Sequence, residues 1–160
     1  MVESPDTQAE VEPFAAVPAV PLFLRTVKLT LKVGAAAVAE YQCHVTTAKV
    51  QTTAGDTVTV KTLCTDGVFS QPGTSSYALV LEGIQDYSAT GLARYLWTNA
   101  GLIADFVLQA HGEAVAPGAS TPQMTGQVVL IAGDYGGEIE TYGEISLELP
   151  CVAKPTLAIA

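Results

Sequence analysis

The sequence is poor in basic residues. Its 160 residues include 7 lysines and arginines against 16 aspartates and glutamates, which gives a formal net charge of −9. A nucleic-acid-binding surface needs a basic patch to neutralise phosphates, and docking on an anionic membrane needs one as well. The composition therefore argues against both of these functions.

Charged residues of either sign are also scarce. They make up 14% of the chain, against about 25% in ordinary soluble domains, while hydrophobic residues make up 49%. A monomer with so little charge has difficulty keeping its surface free of apolar patches. One interpretation is a compact fold rich in Ala, Thr and Gly. The other, which we favour, is a surface largely covered by other subunits.

The cysteine content argues against a disulfide framework. Cys43, Cys64 and Cys151 are odd in number and widely separated, with no Cys-x-x-Cys spacing for zinc. We expect buried free thiols, as in a protein made in a reducing cytoplasm. The N-terminus has no basic segment followed by an apolar core, so no signal peptide is expected. Apolar runs stay well short of the ~20 residues of a membrane span, and we expect no membrane partner.

Sequence motifs for catalysis and for metal or cofactor binding are missing. His44 and His111 lie in different segments and lack His-x-x-His or Glu-x-x-His spacing. Ser75 and Ser76 do not belong to a Gly-x-Ser-x-Gly motif, and GDYGG at 133–137 lacks the lysine of a phosphate-binding loop. We therefore expect no enzyme activity, no metal site and no cofactor.

Acidic side chains are concentrated in the stretch GDYGGEIETYGEISLELPC, residues 133–151. Its alternation of acidic or polar with mostly apolar residues predicts one extended strand with an acidic face. The segment predicted to pair with it through the DYGG turn, residues 126–133, has no basic residue. The acidic face either faces solvent or repels a negatively charged molecule. Its carboxylates are Glu138, Glu140, Glu144 and Glu148.

Two chemical roles for these carboxylates have little support. Glu138 and Glu140 are i and i+2 neighbours, about 6.5–7 Å apart along a strand, which in principle suits the carboxylate pair of a glycoside hydrolase. Equivalent carboxylates on one strand do not resemble a pair with opposite protonation roles. Calcium sites draw their oxygen ligands from flexible loops and not from one flat strand.

The alternating pattern predicts a mainly β domain over residues 25–151, a β-sandwich or barrel-like fold with a flanking helix. The clearest strand is RTVKLTLKV at 25–33, with Leu29 and Leu31 on its apolar face. The helix is predicted at about 88–100, with Ser88 as N-cap and Gly101 as the left-handed residue after its end. Further strands are predicted at 39–52, 57–63, 77–84 and 102–110. A turn at 53–56 separates the first two of these strands, and a loop at 66–76 separates the second from the third.

Extended arms are predicted on both sides of the domain. Residues 1–24 contain four prolines, which block regular helix and central strand, and their second half is apolar. Residues 152–160 form a short apolar C-terminal arm. An apolar arm lies either on its own domain or on a neighbouring subunit, and we favour the neighbour. The predicted contact residues are Phe14, Val17, Val20, Leu22, Phe23, Leu24, Leu157 and Ile159.

The order of these features resembles the tail tube (major tail) protein of long-tailed bacteriophages. The resemblance covers most of the chain and is clearest over 77–157. It rests on the helix SATGLARYLWTNAG, followed by TGQVVLIAGDYGGEIETYGEISLELPCVAKPTL. These motifs are architectural and include no catalytic residues. The long connecting loop of many relatives is not evident here.

The resemblance implies a structural virion protein, made in the host cytoplasm, that forms homohexameric rings stacked into a tube. The implied partners are the tape measure protein inside the lumen, tail terminator and tail-tip proteins, and DNA that passes through without specific binding. The four glutamates would then line the lumen and keep phosphates from the wall. The alternative is a different β-sandwich virion module for decoration or adhesion.

Overall fold

A computed structural model describes residues 16–19, 21–22, 24, 26–111 and 116–159. Within these ranges the strands form two antiparallel sheets, and none of the helices is long and apolar enough to cross a membrane. The five-stranded sheet has the order β2-β1-β5-β6-β8, and the three-stranded sheet has the order β3-β4-β7. The elements are β1 (Lys28–Val33), β2 (Ala39–Glu40), β3 (Val45–Lys61), β4 (Val68–Ile84), α1 (Leu92–Thr98), β5 (Ile103–Gln109), β6 (Gln123–Val129), β7 (Glu144–Pro150) and β8 (Thr156–Ala158).

One hydrophobic core joins both sheets and the helix, which confirms the mainly β fold. Leu29 and Leu31 of β1 are fully buried, as the alternation predicts, and they share the core with Leu79 of β4 and Leu149 of β7. Phe106 of β5 is the largest fully buried side chain. Burying such a side chain contributes about 1.5–3 kcal/mol before ordering costs, so this shared core holds the two sheets together.

The helix exists but is shorter than predicted. It spans Leu92–Thr98, and its N-cap is Gly91 and not Ser88. Ser88 belongs instead to a turn in which its amide donates to the Asp86 carboxylate at 2.8 Å. A Cβ at Gly91 would lie 2.1 Å from the Asp86 carbonyl oxygen, so this close approach needs glycine. Gly101 has φ +85°, which confirms the left-handed residue after the helix.

Strands β3 and β4 form one long hairpin, so the predicted turn at 53–56 is wrong and the predicted loop at 66–76 is wrong from residue 68 onward. The pairing runs from Val45↔Gly83 to Lys61↔Val68, and the reversal occurs between these last two residues. Register shifts flank Gly55, which faces Gly73. The bulges absorb glycine and aspartate inside a strand, where sequence patterns indicate a turn.

The predicted acidic strand is also wrong in its first half. Residues 131–143 are irregular, and Glu140 has φ +66°, outside the strand region. The strand β7 begins at Glu144, and it pairs with β4 instead of with β6. The segment that precedes the loop pairs with β5 and β8 in the other sheet. The 131–143 loop therefore crosses from one sheet to the other and is too long for a hairpin turn.

The C-terminal segment folds onto its own subunit. Strand β8 pairs with β6, with Leu157 opposite Met124, so residues 156–158 form the edge of the five-stranded sheet. Of the predicted C-terminal arm, these three residues therefore lie on their own domain, which is the alternative to a contact with a neighbouring subunit. Of the predicted N-terminal contact residues, Phe14, Val20 and Phe23 lie outside the described part of the chain.

Candidate assembly surfaces

The outer face of the three-stranded sheet is acidic. Glu144 and Glu148 project from β7 on either side of Ser146, and the register places Glu82 of β4 directly opposite Ser146. All three carboxylates are exposed. Neighbours on the diagonal of an antiparallel pair lie ~7–8 Å apart, so these like charges are close. Sequence analysis missed Glu82 because it assigned β7 to the wrong partner strand.

The outer face of the five-stranded sheet has a balanced charge. Lys28 forms an ion pair with Glu40 at 2.9 Å, and Lys32 lies opposite Asp105 in the β1–β5 register. On the acidic face, Lys49 of β3 is the basic residue in the described register, opposite Val80. The two faces therefore differ in net charge, and the three-stranded sheet presents the negative one.

Glu138 and Glu140 are not part of this face, because they belong to the 131–143 loop. The side chain of Gln85 holds this loop, since its amide donates to the carbonyl oxygens of Gly136 and Glu144 at 2.9 and 2.8 Å. The Gly136 amide in turn donates to the Gln85 side-chain oxygen at 3.0 Å. A lumen role for Glu138 and Glu140 stays a prediction, but its premise of a shared strand face is wrong.

The distal half of the long hairpin forms a two-stranded ribbon. Strand β7 pairs with β4 from Ala78 to Ile84, so residues 53–76 pair only with each other among the described residues. Cross-strand pairs place Val58, Val60 and Phe69 on one face. The other face carries hydroxyl groups, and Thr59 and Ser70 are hydrogen-bonded at 3.2 Å.

The apolar face of this ribbon is exposed. Val58 and Val60 are more than half exposed, Phe69 is 67% exposed, and Leu63 at the tip is fully exposed. An isolated two-stranded ribbon is marginally stable in water. Exposed apolar residues clustered on one face mark an interaction surface. Sequence patterns identified the strand 57–63 but missed the ribbon, because residues 66–76 read as a loop.

An apolar cleft lies where the two sheets separate at one end of the sandwich. Val50 of β3, Met124 of β6 and Leu157 of β8 line it, together with Leu22 and Leu24 of the N-terminal segment. The part that these residues line has a volume of about 230 Å³, and an adjoining part, which shares Val50, Met124 and Leu157, has about 680 Å³. Of the other predicted contact residues, Val17 and Ile159 are exposed.

A polar cluster joins the start of β3 to the segment before α1. His44 Nε2 lies 3.0 Å from the Asp86 carboxylate, and the Ser88 amide donates to the same carboxylate. The Ser88 hydrogen bonds, with a smaller contribution from His44, lower the pKa of Asp86. Tyr41 packs against His44 and Tyr95 with ring centroids 5.7 and 5.2 Å apart. The cluster ties the β2–β3 connection to the segment before the helix.

The described residues contain no group of three or more His, Cys, Asp and Glu side chains placed to hold a metal. The prediction of buried thiols is wrong for Cys43 and Cys64, which are exposed, while Cys151 is partly buried. Cys64 lies at the hairpin tip, where sequence patterns alone do not reveal that no sheet covers it.

The fold is similar to chains in two solved assemblies. One belongs to the virion of a native gene transfer agent particle, with TM-score 0.52, 16% identity, and 81% of this chain and 95% of that chain covered. Another belongs to a cryo-EM structure of the anti-feeding prophage baseplate, 6-fold symmetrised, with TM-score 0.54, 15% identity, and coverage of 91% and 98%. No family model and no curated protein matches the chain. At these identities the likeness is one of fold, so the chain has a fold found in a virion and in a baseplate.

Proposed function

We propose that this chain is a structural virion protein that assembles into stacked hexameric rings and forms a phage-type tail tube. The observation that carries the proposal is the two-stranded ribbon, whose apolar side chains are more than half exposed and which pairs with no other strand among the described residues. Support comes from the low charge content and from the fold shared with chains of a virion and a 6-fold symmetrised baseplate.

The ribbon is a suitable contact between subunits because of its length and its two unlike faces. Nine residues of strand, from Thr53 to Lys61, extend about 30 Å at ~3.3 Å per residue. Val60 and Phe69 would be buried against the sandwich of the next copy, while Thr59 and Ser70 stay in solvent. The same contact repeated around an axis closes a ring when the rotation fits.

In such a ring the acidic face of the three-stranded sheet lines the lumen. DNA carries one charge per ~1.7 Å of helix axis, so a basic wall would retain it by counterion release. Glu82, Glu144 and Glu148 instead repel phosphates near contact, within the ~8 Å Debye length at physiological salt. The proposal includes tape measure, terminator and tail-tip proteins as partners, a location in the virion, and no catalytic role.

Electron microscopy and sedimentation of the purified protein test the proposal. Wild-type protein is expected to form hollow tubes or six-fold rings, alone or with a tail-tip initiator complex. The double variant Val60→Lys and Phe69→Lys should stay monomeric, because two lysines replace the apolar face of the ribbon. The matched control, Thr59→Lys and Ser70→Lys, alters the neighbouring cross-strand pair on the other face and should still assemble.

Wild-type protein that remains monomeric even with the initiator complex would contradict the tube. That result would favour the decoration or adhesion module. Equal assembly by both double variants would show instead that the apolar ribbon face is not the contact.

A further inference from the structure

Two unlike surfaces lie at opposite ends of the sandwich. The 131–143 loop leaves β6 and enters β7 at the end where Gln85 binds it. The apolar cleft lies at the other end, where Tyr77 begins the packed part of β4 and Lys154 follows β7. The packed part of β4 spans residues 77–84, so the two surfaces are about 20–25 Å apart.

The 131–143 loop presents an apolar tip surrounded by acids. Ile139 and Tyr142 are both 92% exposed. The loop carries Asp134, Glu138 and Glu140 and no basic residue. Ile139 is thus almost uncovered by the described part of its own subunit, which is typical of an interaction surface.

The tip is held in place before any partner binds. The Thr141 hydroxyl donates to the Glu138 carbonyl oxygen at 2.8 Å across the turn. Tyr135 packs edge-on against Tyr87 with ring centroids 5.3 Å apart, and Gln85 binds the loop backbone. A preorganised surface loses less entropy on binding than a mobile one. The loop is therefore a projection of defined shape.

The apolar cleft is complementary to the 131–143 loop in polarity and in charge. Its lining is apolar and includes no acidic residue among the described ones, and its basic members are Lys49 and Lys154. Both lysines are exposed, and no ion pair within the described ranges involves either of them. Lys49 borders the cleft from the edge strand β3, although its register position lies on the outer face, and Lys154 borders it after β7. An apolar depression bordered by two lysines complements an isoleucine flanked by two carboxylates.

We infer that the 131–143 loop of one copy docks in the apolar cleft of the next copy. Ile139 enters the cleft beside Val50, Met124 and Leu157, and Glu138 and Glu140 pair with Lys49 and Lys154. Because the two surfaces lie at opposite ends, the contact is head-to-tail and generates an open stack, not a closed dimer. It rests on the proposed function and names the contact between successive rings of the tube.

Charge reversal tests the contact. The loop variant combines Glu138→Lys with Glu140→Lys, and the cleft variant combines Lys49→Glu with Lys154→Glu. Every altered side chain is exposed, so both variants should fold normally. Each variant alone should give separate rings and an at least tenfold higher concentration threshold for tubes. An equimolar mixture should recover tubes, because every contact between alternating variants again joins opposite charges.

The matched control is Glu144→Lys with Glu148→Lys, which makes the same charge change on the acidic sheet face. It should form tubes alone and should not rescue the cleft variant. Tubes from each reversed variant at the wild-type threshold would overturn the inference and leave the proposed function intact. Monomers in place of rings would count against the inference as well, since they would assign these residues to contacts within a ring.

A zero-length carbodiimide cross-link gives an independent readout on the wild-type protein. Glu138 or Glu140 should couple to Lys49 or Lys154, and only cross-links between isotopically different copies count as contacts between subunits. This readout detects pairwise association even where no tube forms, so it separates failure of the inference from failure of the tube. Cross-links from Glu10 or Glu12 to these lysines would show that the N-terminal arm occupies the cleft, and they would overturn the inference.

Discussion

At the scale of single residues, a few side chains fix how the loops sit on the sandwich. Gln85 binds the 131–143 loop at Gly136 and, where the loop enters β7, at Glu144. Tyr41 packs against Tyr95 and joins the β2–β3 connection to the helix. A local sequence pattern identifies neither residue as structural, because each acts through a partner more than 40 positions away in the chain.

The pH dependence of stability should reveal the burial of Tyr41, which is 4% exposed. Burial, with a smaller contribution from Tyr95, raises the pKa of Tyr41 from 10.0 to about 12. Its neutral form is favoured in the fold, so its contribution is complete below pH 10 and is lost as the pH rises toward 12. Chemical unfolding should show a decline of up to about 2 kcal/mol from this group.

The Tyr41→Phe variant should lack this part of the alkaline decline. The control Tyr142→Phe, at a 92% exposed position, should keep the wild-type slope. A Tyr41→Phe variant that declines as steeply as the wild type between pH 10 and 12 would contradict the assignment.

At the scale of secondary-structure elements, the long hairpin is the main feature. Its proximal half packs in the sandwich, and its distal half, which begins near the facing Gly55 and Gly73, pairs with no third strand among the described residues. A Cβ at Gly73 would lie 2.3 Å from the Asp56 carbonyl oxygen, and a Cβ at Gly55 would lie 2.4 Å from that of Thr74. The strands therefore approach too closely for any residue other than glycine.

Replacing Gly73 with alanine should destabilise the ribbon without affecting the core. Gly73→Ala should accelerate amide hydrogen exchange at Val58, Val60 and Phe69 about 10- to 100-fold, which corresponds to ~1.4–2.7 kcal/mol of local stability. Exchange in β1 and β5 should be unchanged, because the ribbon contributes no residue to the core. The control Ser76→Ala should leave exchange in the ribbon unchanged, and uniform acceleration throughout the protein would contradict a local role.

At the scale of the whole molecule, charge is distributed unevenly over the two outer sheet faces. Glu82, Glu144 and Glu148 lie on the three-stranded sheet, while charges on the five-stranded sheet are balanced in pairs. In a closed ring, one of these faces surrounds the axis. The proposal assigns the acidic one to the lumen, where it prevents adhesion of DNA.

Reversing the charge of this acidic face should produce a tube that binds DNA. Tubes of the Glu144→Lys and Glu148→Lys variant should retain labelled DNA at low salt and release it near 0.5 M salt, as phosphate contacts require. Glu144→Gln with Glu148→Gln, which removes charge without adding any, should bind DNA far less. Co-sedimentation measures both, and release of DNA by the lysine tubes at low salt would place this face away from the lumen.

The sequence by itself determined which residues alternate between core and surface, where the helix lies to within four residues, and the negative charge of the chain. Leu29 and Leu31, and the apolar side of Glu144–Pro150, follow from a period of two that each strand carries locally. The sequence also predicted an acidic sheet face, although only Glu144 and Glu148 of its four predicted carboxylates belong to it.

Tertiary structure decided which strands pair and where they end. Contacts between distant parts of the chain decided that β7 pairs with β4 and that Glu82 joins its acidic face. Such contacts also decided that β3 and β4 continue through Gly55 and Gly73, and that Glu138 and Glu140 lie in a loop. Glycine and aspartate indicate a turn when the chain is considered alone, but they form a bulge once an opposing strand supplies hydrogen bonds. Periodicity reports the environment of a side chain and carries no information on the identity of its neighbour.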